Sequence, residues 1–157
     1  MQPDAYITPD GKFRYWLSRI WDDNLPTVTF IGLNPSTADA KEDDNTIRKC
    51  IAYAKRWDKG GLYMVNLFAF RDTHQTKIWN EPNRVGPKNN TYLADYAAKS
   101  SLVVAAWGNE GRRFGRSAEV CRLLPSLQCL KVNMSDEPHH PLYLSPDIKH
   151  KPYHRHG

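Results

Sequence analysis

Short apolar runs alternate with segments of helical spacing along this chain, and this alternation constrains its fold more than any other feature. The apolar runs cover residues 27–33, 62–68, 101–107 and 127–132. Helical spacing of apolar side chains marks residues 46–57, 87–99 and 110–124. Strands that alternate with helices are joined by right-handed crossovers and build a parallel sheet covered on both faces. We therefore predict an α/β fold, a three-layer αβα sandwich with a mainly parallel four-stranded central sheet.

The length of the chain, 157 residues, suits one domain with a sizeable core. The sequence contains no internal repeat and no linker rich in Gly or Ser. We predict a single domain over residues 1–157, with its core at about 27–145. Residues 12–20 partly alternate between apolar and polar side chains, which is typical of an edge strand. Residues 146–157 are predicted to form a polar C-terminal tail.

Composition and charge limit the class of protein. No apolar run reaches the ~20 residues that cross a bilayer, and Met1 precedes polar residues rather than a signal segment, so we expect a cytoplasmic protein without membrane contact. Cys50, Cys121 and Cys129 are odd in number and form no C-x-x-C motif, which argues against a disulfide framework. We expect a monomer with no cofactor and no metal. The formal charge of +5 favours a polyanionic partner, here DNA.

Polar residues or glycine mark the points where the predicted strands end. Asn34 and Pro35 follow the first strand, Asn66 interrupts the second, and Gly108 follows the third. Ligands of open α/β sheets bind beyond the carboxyl ends of the strands, so we expect these positions on one rim, together with the segment after Val132. An unpaired amide in an apolar strand costs about 1 to 3 kcal/mol. Asn66 is therefore either a ligand-binding residue or a hydrogen-bonded structural one.

Four segments at these strand ends resemble motifs of the uracil-DNA glycosylase superfamily, in the same order along the chain. Gly32-Leu33-Asn34-Pro35 resembles its Gly-x-Asn-Pro motif, and Val65-Asn66-Leu67 is similar to its strand end with a base-reading Asn. Residues 106–109 (AWGN) are similar to Leu-Trp-Gly-Ser, and residues 139–145 (HHPLYLS) resemble a rearranged His-Pro-Ser-Pro-Leu-Ser. The whole chain also resembles a small bacterial and phage family of unknown function, through IGLNPSTAD and HPLYL. That family is expected to carry a His where this chain has Glu137.

The resemblance implies roles for these residues. Asn34 and its loop would hold the attacking water, and His140 would be the catalytic histidine. Asn66 would read the flipped base, and Leu142 would be the wedge that enters the DNA. The base-binding residues would also include the rest of the loop around Asn34, namely Gly32, Leu33, Pro35 and Ser36.

The residue types themselves fit cleavage of a base from its sugar. That reaction passes through an oxocarbenium-like centre while the leaving base gathers negative charge, so it needs a placed water and donors aimed at the base. Asn34 can orient water through its side-chain oxygen but, being neutral, cannot stabilise the cation as a carboxylate would. His140 can donate to the base, and Asn66 offers one donor and one acceptor edge to a pyrimidine.

Further residues are candidates for contact with an extruded base. Phe68 or Phe70 can stack on it, and Leu142 or Tyr143 can fill the gap that it leaves in the DNA.

Several charged residues are further site candidates, and each has both a functional and a structural interpretation. Arg112, Arg113 and Arg116 lie on the helix predicted over 110–124, where they would contact phosphates or form a solvated face. Asp39 and Asp43 are reserve candidates for activating water, and acidic residues at this place also belong to the normal start of a helix.

The preferred hypothesis is a DNA glycosylase-like protein that flips an altered pyrimidine into this rim and excises or recognises it. A non-catalytic nucleic-acid sensor or inhibitor would use the same pocket for binding alone. A hydrolase or transferase acting on free nucleotides or nucleosides would use it without a basic DNA-binding surface.

Overall fold

The computed structural model describes residues 2–36, 38–71 and 75–155 of the chain. Within these ranges seven strands form one sheet in the spatial order β1-β2-β4-β3-β5-β6-β7. The strands are β1 (Gln2–Ile7), β2 (Arg14–Ile20), β3 (Thr27–Gly32), β4 (Gly61–Asn66), β5 (Leu102–Ala105), β6 (Gln128–Cys129) and β7 (Lys151–Pro152). The prediction of an α/β fold is confirmed.

Strand direction differs between the centre and the edges of the sheet. β3 pairs in parallel with β4 and with β5, and β5 pairs in parallel with β6. β1 and β2 at one edge and β7 at the other run antiparallel to their neighbours. The predicted four-stranded, mainly parallel sheet is thus corrected to a mixed sheet of seven strands among the described residues.

Both chain ends contribute strands that the sequence pattern did not predict. β1 lies outside β2, so the strand predicted over residues 12–20 is not at the edge. Near the C-terminus, β7 lies within the predicted polar tail, and the Tyr153 side chain that follows it is only 4% exposed. Residues 156 and 157 of that tail lie outside the described part of the chain.

Four α-helical segments occur in the described ranges: α1 (Asn45–Arg56), the single turn α2 (Gln75–Ile78), α3 (Asn89–Lys99) and α4 (Arg116–Leu123). Asp44 caps α1, because its carboxylate accepts a hydrogen bond from the Ile47 backbone N–H at 2.8 Å. No helix of the described residues has both the length and the apolarity that crossing a membrane requires.

The helix predicted over 110–124 is broken. Its first part is a 3-10 helix (Asn109–Gly115), which ends with Phe114 and Gly115 at φ values of 58° and 66°. These are left-handed conformations, which interrupt the right-handed helix before α4 begins.

Alternate residues of the central strands bury their side chains on opposite faces of the sheet. Val28 and Phe30 of β3 belong to the cluster that includes the buried side of α1, whereas Ile31 belongs to the cluster that includes residues of α3 and α4. Helices therefore cover both faces, and the carboxyl ends of the parallel strands remain open to a ligand.

Candidate functional site

A cavity of about 450 Å³ lies where the parallel strands end. This volume falls within the range of about 300 to 1,000 Å³ that is typical of small-molecule sites. Residues from β2, β3, β4, α1, the segment after β5 and the C-terminal loop line it: Arg14, Gly32, Leu33, Asn34, Pro35, Ser36, Asp44, Thr46, Ile47, Met64, Asn66, Trp107, Gly108, Asn109, Glu110, His140 and Leu142. The cavity thus brings together Asn34, Asn66 and His140, which are far apart in the sequence.

Asn66 is held at the buried wall of the cavity by the register of the sheet. It is paired with Gly32 across β4 and β3, and it is 1% exposed. A Cβ atom on Gly32 would lie 2.8 Å from the Asn66 Oδ1 atom, so the absence of a side chain there makes room for the amide. The Asn66 Nδ2 atom has no hydrogen-bond partner among the described residues. A buried donor of this kind is costly unless a ligand satisfies it.

Asn34 lies in the loop that follows β3 and is half-buried. Its Nδ2 atom donates to the Pro35 carbonyl oxygen at 3.2 Å. Nearby, the Ser36 hydroxyl donates to the carboxylate of Asp44, which also caps α1. The cavity therefore contains a carboxylate, Asp44, that is fixed in position by the start of a helix.

His140 lies in the C-terminal loop, far from Asn34 and Asn66 in the sequence. Burial, together with the neighbouring His139, lowers its pKa below the ordinary 6.5, and Asp44 opposes that shift. The imidazole is therefore neutral at pH 7. Its Nδ1 atom accepts a hydrogen bond from the Leu142 backbone N–H at 3.2 Å, which leaves the proton of the neutral ring on Nε2. His140 is thus a neutral hydrogen-bond donor in the cavity.

The aromatic side chains suggested for base stacking do not line the cavity. Phe68 is fully buried in the core, with its ring edge-on to Trp79. Phe70 packs against Phe13. The role proposed for these two residues is corrected, because neither ring is available at the site. The aromatic residue that does line the cavity is Trp107.

The two wedge candidates differ in position. Leu142 lines the cavity and is half-buried. Tyr143 does not line it, but its side chain is 99% exposed on a backbone with φ of 66°. An apolar side chain at the cavity wall thus lies next to an aromatic one in solvent.

The three arginines predicted on one helix face are separated by the break before α4. Arg116 is 2% exposed and donates to the Leu67 carbonyl oxygen at 2.8 Å, so it is a structural residue and not a DNA contact. Arg113 forms an ion pair with Glu110 and stacks over the Trp79 ring. Arg112 is exposed.

The reserve carboxylates lie outside the cavity. Asp39 accepts hydrogen bonds from the backbone N–H groups of Lys41 and Glu42, and Asp43 pairs with Arg19 at 2.8 Å. Both have structural partners, whereas Asp44, which follows them in the sequence, lines the cavity. Glu137, where a histidine was expected, is 1% exposed and also does not line the cavity.

Sequence reasoning did not select Arg14 or Asp44 as site residues. Arg14 lies within the strand predicted over residues 12–20, but it is 2% exposed and lines the cavity. Asp44 caps α1 and also lines the cavity. The sequence carries a signal for Asp44, since this acidic residue stands between the Asn34 loop and the helix predicted over 46–57.

Chemically, the cavity combines hydrogen-bond donors with few unpaired acceptors. Among the described residues, no group of three or more His, Cys, Asp or Glu side chains is arranged to hold a metal ion. The protein groups at hand are three amides, a neutral imidazole, two carboxylates, an indole and a guanidinium. Such a set can bind and orient a polar ring and a water molecule.

A family model described as "Protein of unknown function (DUF1643)" matches residues 14–142. This match covers the cavity from Arg14 to Leu142. No curated protein and no solved structure matches the chain significantly.

Proposed function

The chain belongs to the DUF1643 family, and from that premise we propose that it is a DNA glycosylase-like protein. It takes an altered pyrimidine base out of DNA into the cavity at the ends of the parallel strands. There it cleaves the bond between the base and its sugar.

The meeting of Asn34, Asn66 and His140 in one cavity is the observation that carries this proposal. Three segments that are separate in the sequence supply an acceptor for water, an amide for a base edge and a neutral imidazole donor. The same segments resemble those of the uracil-DNA glycosylase superfamily in order, and this resemblance supports the assignment of their roles.

In the proposed reaction, the bond between C1′ of the sugar and the base nitrogen breaks, and its electron pair leaves with the base. His140 donates a hydrogen bond from Nε2 to the base oxygen where negative charge collects, and Asn66 donates a second one from Nδ2. Both donors are preorganised, because one is oriented by its bond from Leu142 and the other by the sheet.

A water molecule completes the reaction. The side-chain oxygen of Asn34 orients this water molecule. The water oxygen forms the new bond to C1′, and a water proton passes through the Asp44 carboxylate to the departing base. Asp44 also brings to the cavity the negative charge that Asn34 lacks, which stabilises the cationic sugar. Asn34 thus orients the water and Asp44 supplies the negative charge, two tasks that a single catalytic carboxylate could perform.

The test uses single-stranded and double-stranded oligonucleotides that each contain one uracil, one mismatched thymine or one hypermodified pyrimidine. We expect abasic product from at least one of them, detected as strand cleavage after alkali. His140→Ala should slow the reaction about 100-fold, since it removes a donor to the developing charge. The exposed His154, which lies outside the cavity, provides the matched control as His154→Ala.

No abasic product from the whole panel would defeat the proposal. Tight, salt-dependent binding without product, unchanged by Asn34→Ala, would instead identify a non-catalytic sensor.

Free nucleotides or nucleosides are a second candidate substrate class. The observation in their favour is the loss of the predicted basic surface, because Arg116 is buried and Arg113 is paired with Glu110. Arg112→Glu combined with Arg113→Glu separates the two classes, with the exposed Arg122→Glu as control. Activity on oligonucleotides should fall if DNA is the substrate, whereas unchanged activity excludes long DNA.

A further inference from the structure

Arg14 is a buried cation at the wall of the cavity. Arg14 is the first residue of β2, and its side chain is 2% exposed. Its Nη1 atom donates to the Ala38 carbonyl oxygen at 2.7 Å, which connects it to the far end of the loop that begins at Asn34. Its Nε atom has no hydrogen-bond partner among the described residues.

The charge of Arg14 is not neutralised by an ion pair within the described part of the chain. Burial lowers its pKa to about 10, Asp44 and Asp39 oppose this shift, and Arg71 and Arg19 add to it. The guanidinium therefore remains charged at pH 7, although neither carboxylate bonds to it. A buried charge without a paired counterion is strongly unfavourable in a folded protein.

Two further unpaired donors belong to residues that line the same cavity. The Asn66 Nδ2 and Trp107 Nε1 atoms are buried and have no partner among the described residues. The two carboxylates of the cavity are already engaged, because Asp44 holds the Ser36 hydroxyl and the start of α1, and Glu110 pairs with Arg113. The buried end of the cavity thus has an excess of donors and positive charge.

We propose that the ligand of this cavity carries an oxyanion, which binds Arg14 at the buried end. This inference rests on the proposed function and narrows its substrate class to nucleosides that bear an acidic group. The group is either a carboxylate on the base, which would enter with a flipped base, or the phosphate of a free nucleotide. An oxygen anion matches the guanidinium fork in charge and in geometry, and hydrogen bonds to charged groups are the strong ones.

Calorimetric titration of the native protein distinguishes these sources. The ligands are deoxyuridine, deoxyuridine 5′-monophosphate and deoxyuridine with a carboxylate on the base, with inorganic phosphate as competitor. We expect one of the two anionic ligands to bind at least tenfold more tightly than deoxyuridine, and that ligand identifies the source of the oxyanion. Equal affinities for the charged and uncharged ligands would overturn the proposal, and so would failure of both anionic ligands to bind at millimolar concentration.

Variants locate the effect at Arg14. Arg14→Met should abolish the preference for the anionic ligand, Arg14→Lys should retain part of it, and the exposed Lys12→Met, two residues away, should leave it unchanged. A preference that survives Arg14→Met would refute the assignment. Because Arg14 also holds the Ala38 carbonyl, Arg14→Lys and the titration of the native protein carry the test if Arg14→Met does not fold.

Base release from the oligonucleotide panel, measured beside the calorimetry, keeps the two proposals apart. Anion-dependent binding without release would leave the oxyanion site standing and remove the glycosylase activity. Base release from the oligonucleotide panel, together with equal binding of charged and uncharged nucleosides, would support the glycosylase activity and remove the oxyanion site.

Discussion

Replacing Asn66 by leucine should stabilise the unliganded protein while it removes ligand binding. The Asn66 amide is buried, and its Nδ2 atom has no partner among the described residues. An unsatisfied buried donor costs about 1 to 3 kcal/mol, and leucine of similar size removes it. We expect the free energy of unfolding to rise by about 1 kcal/mol, which raises the melting temperature by about 2–4 °C for a chain of this length.

Asn89 provides the control, because it is a buried asparagine whose Nδ2 atom makes two hydrogen bonds, whereas only its Oδ1 atom has no partner among the described residues. Its Nδ2 atom donates to the backbone carbonyl oxygens of Asn66 at 2.8 Å and of Leu67 at 3.1 Å. Asn89→Leu should therefore lower the free energy of unfolding by about 1 to 3 kcal/mol. The two variants make the same chemical change at two buried positions, and they are expected to shift stability in opposite directions.

Thermal unfolding, followed by circular dichroism, measures both variants, and calorimetry measures their ligand binding. Asn66→Leu should weaken binding at least tenfold, since it removes a donor from the cavity wall. If Asn66→Leu destabilises the protein as much as Asn89→Leu does, Asn66 is an ordinary structural residue and the reasoning is refuted.

Three further perturbations test other parts of the site. His140 has a pKa below 6.5 in the folded state, so its contribution to stability is complete above pH 6.5 and is lost as the pH falls through the folded pKa. Between pH 7 and pH 5, the melting temperature of the wild type should therefore fall by more than that of His140→Gln. Gly32→Ala should lower the free energy of unfolding by about 1 to 3 kcal/mol and weaken ligand binding, because the methyl group displaces the Asn66 amide; unchanged binding would contradict this. Arg116→Met should destabilise by about 1 to 3 kcal/mol, whereas the exposed Arg122→Met should change stability by less than about 0.5 kcal/mol, and equal melting temperatures would show that the buried contacts of Arg116 contribute nothing.

Local patterns predicted the centre of the fold well. The helix predicted over 46–57 is α1 (Asn45–Arg56), and the run 27–33 contains β3 (Thr27–Gly32). Both have strong periodicity and clear end signals, namely a capping Asp44 and a Pro after the strand. Because the parallel strands end on one rim, the meeting of Asn34 and Asn66 followed from strand order alone.

The features that were missed depend on contacts between distant residues. β1 and β7 are short or polar, and they form strands because a neighbouring strand offers unpaired backbone groups. Arg116 sits on a helix at a position that looks solvated, and its burial depends on the Leu67 carbonyl 49 residues away. Arg14 similarly reaches Ala38, 24 residues away, and no local pattern indicates that contact.

The break before α4 was missed for a different reason. Phe114 adopts a left-handed conformation at φ of 58°, which a phenylalanine rarely takes. Its exposed ring lies under the Arg84 guanidinium at 3.6 Å, so a tertiary contact accompanies the unusual backbone. The phosphate-contact role predicted for Arg112, Arg113 and Arg116 depends on a continuous helix, and the break separates Arg116 from the other two.

The side-chain amide signal of Asn66 in a ¹⁵N-correlated NMR spectrum tests most directly whether this cavity holds a base. This signal is assigned as the one that disappears from the spectrum of the Asn66→Leu variant. Titration with deoxyuridine, deoxyuridine 5′-monophosphate and deoxyuridine with a carboxylate on the base should shift this signal for at least one ligand, while the exposed Asn24 amide stays in place. An Asn66 signal that none of these ligands moves at saturating concentration would show that the cavity does not bind a pyrimidine.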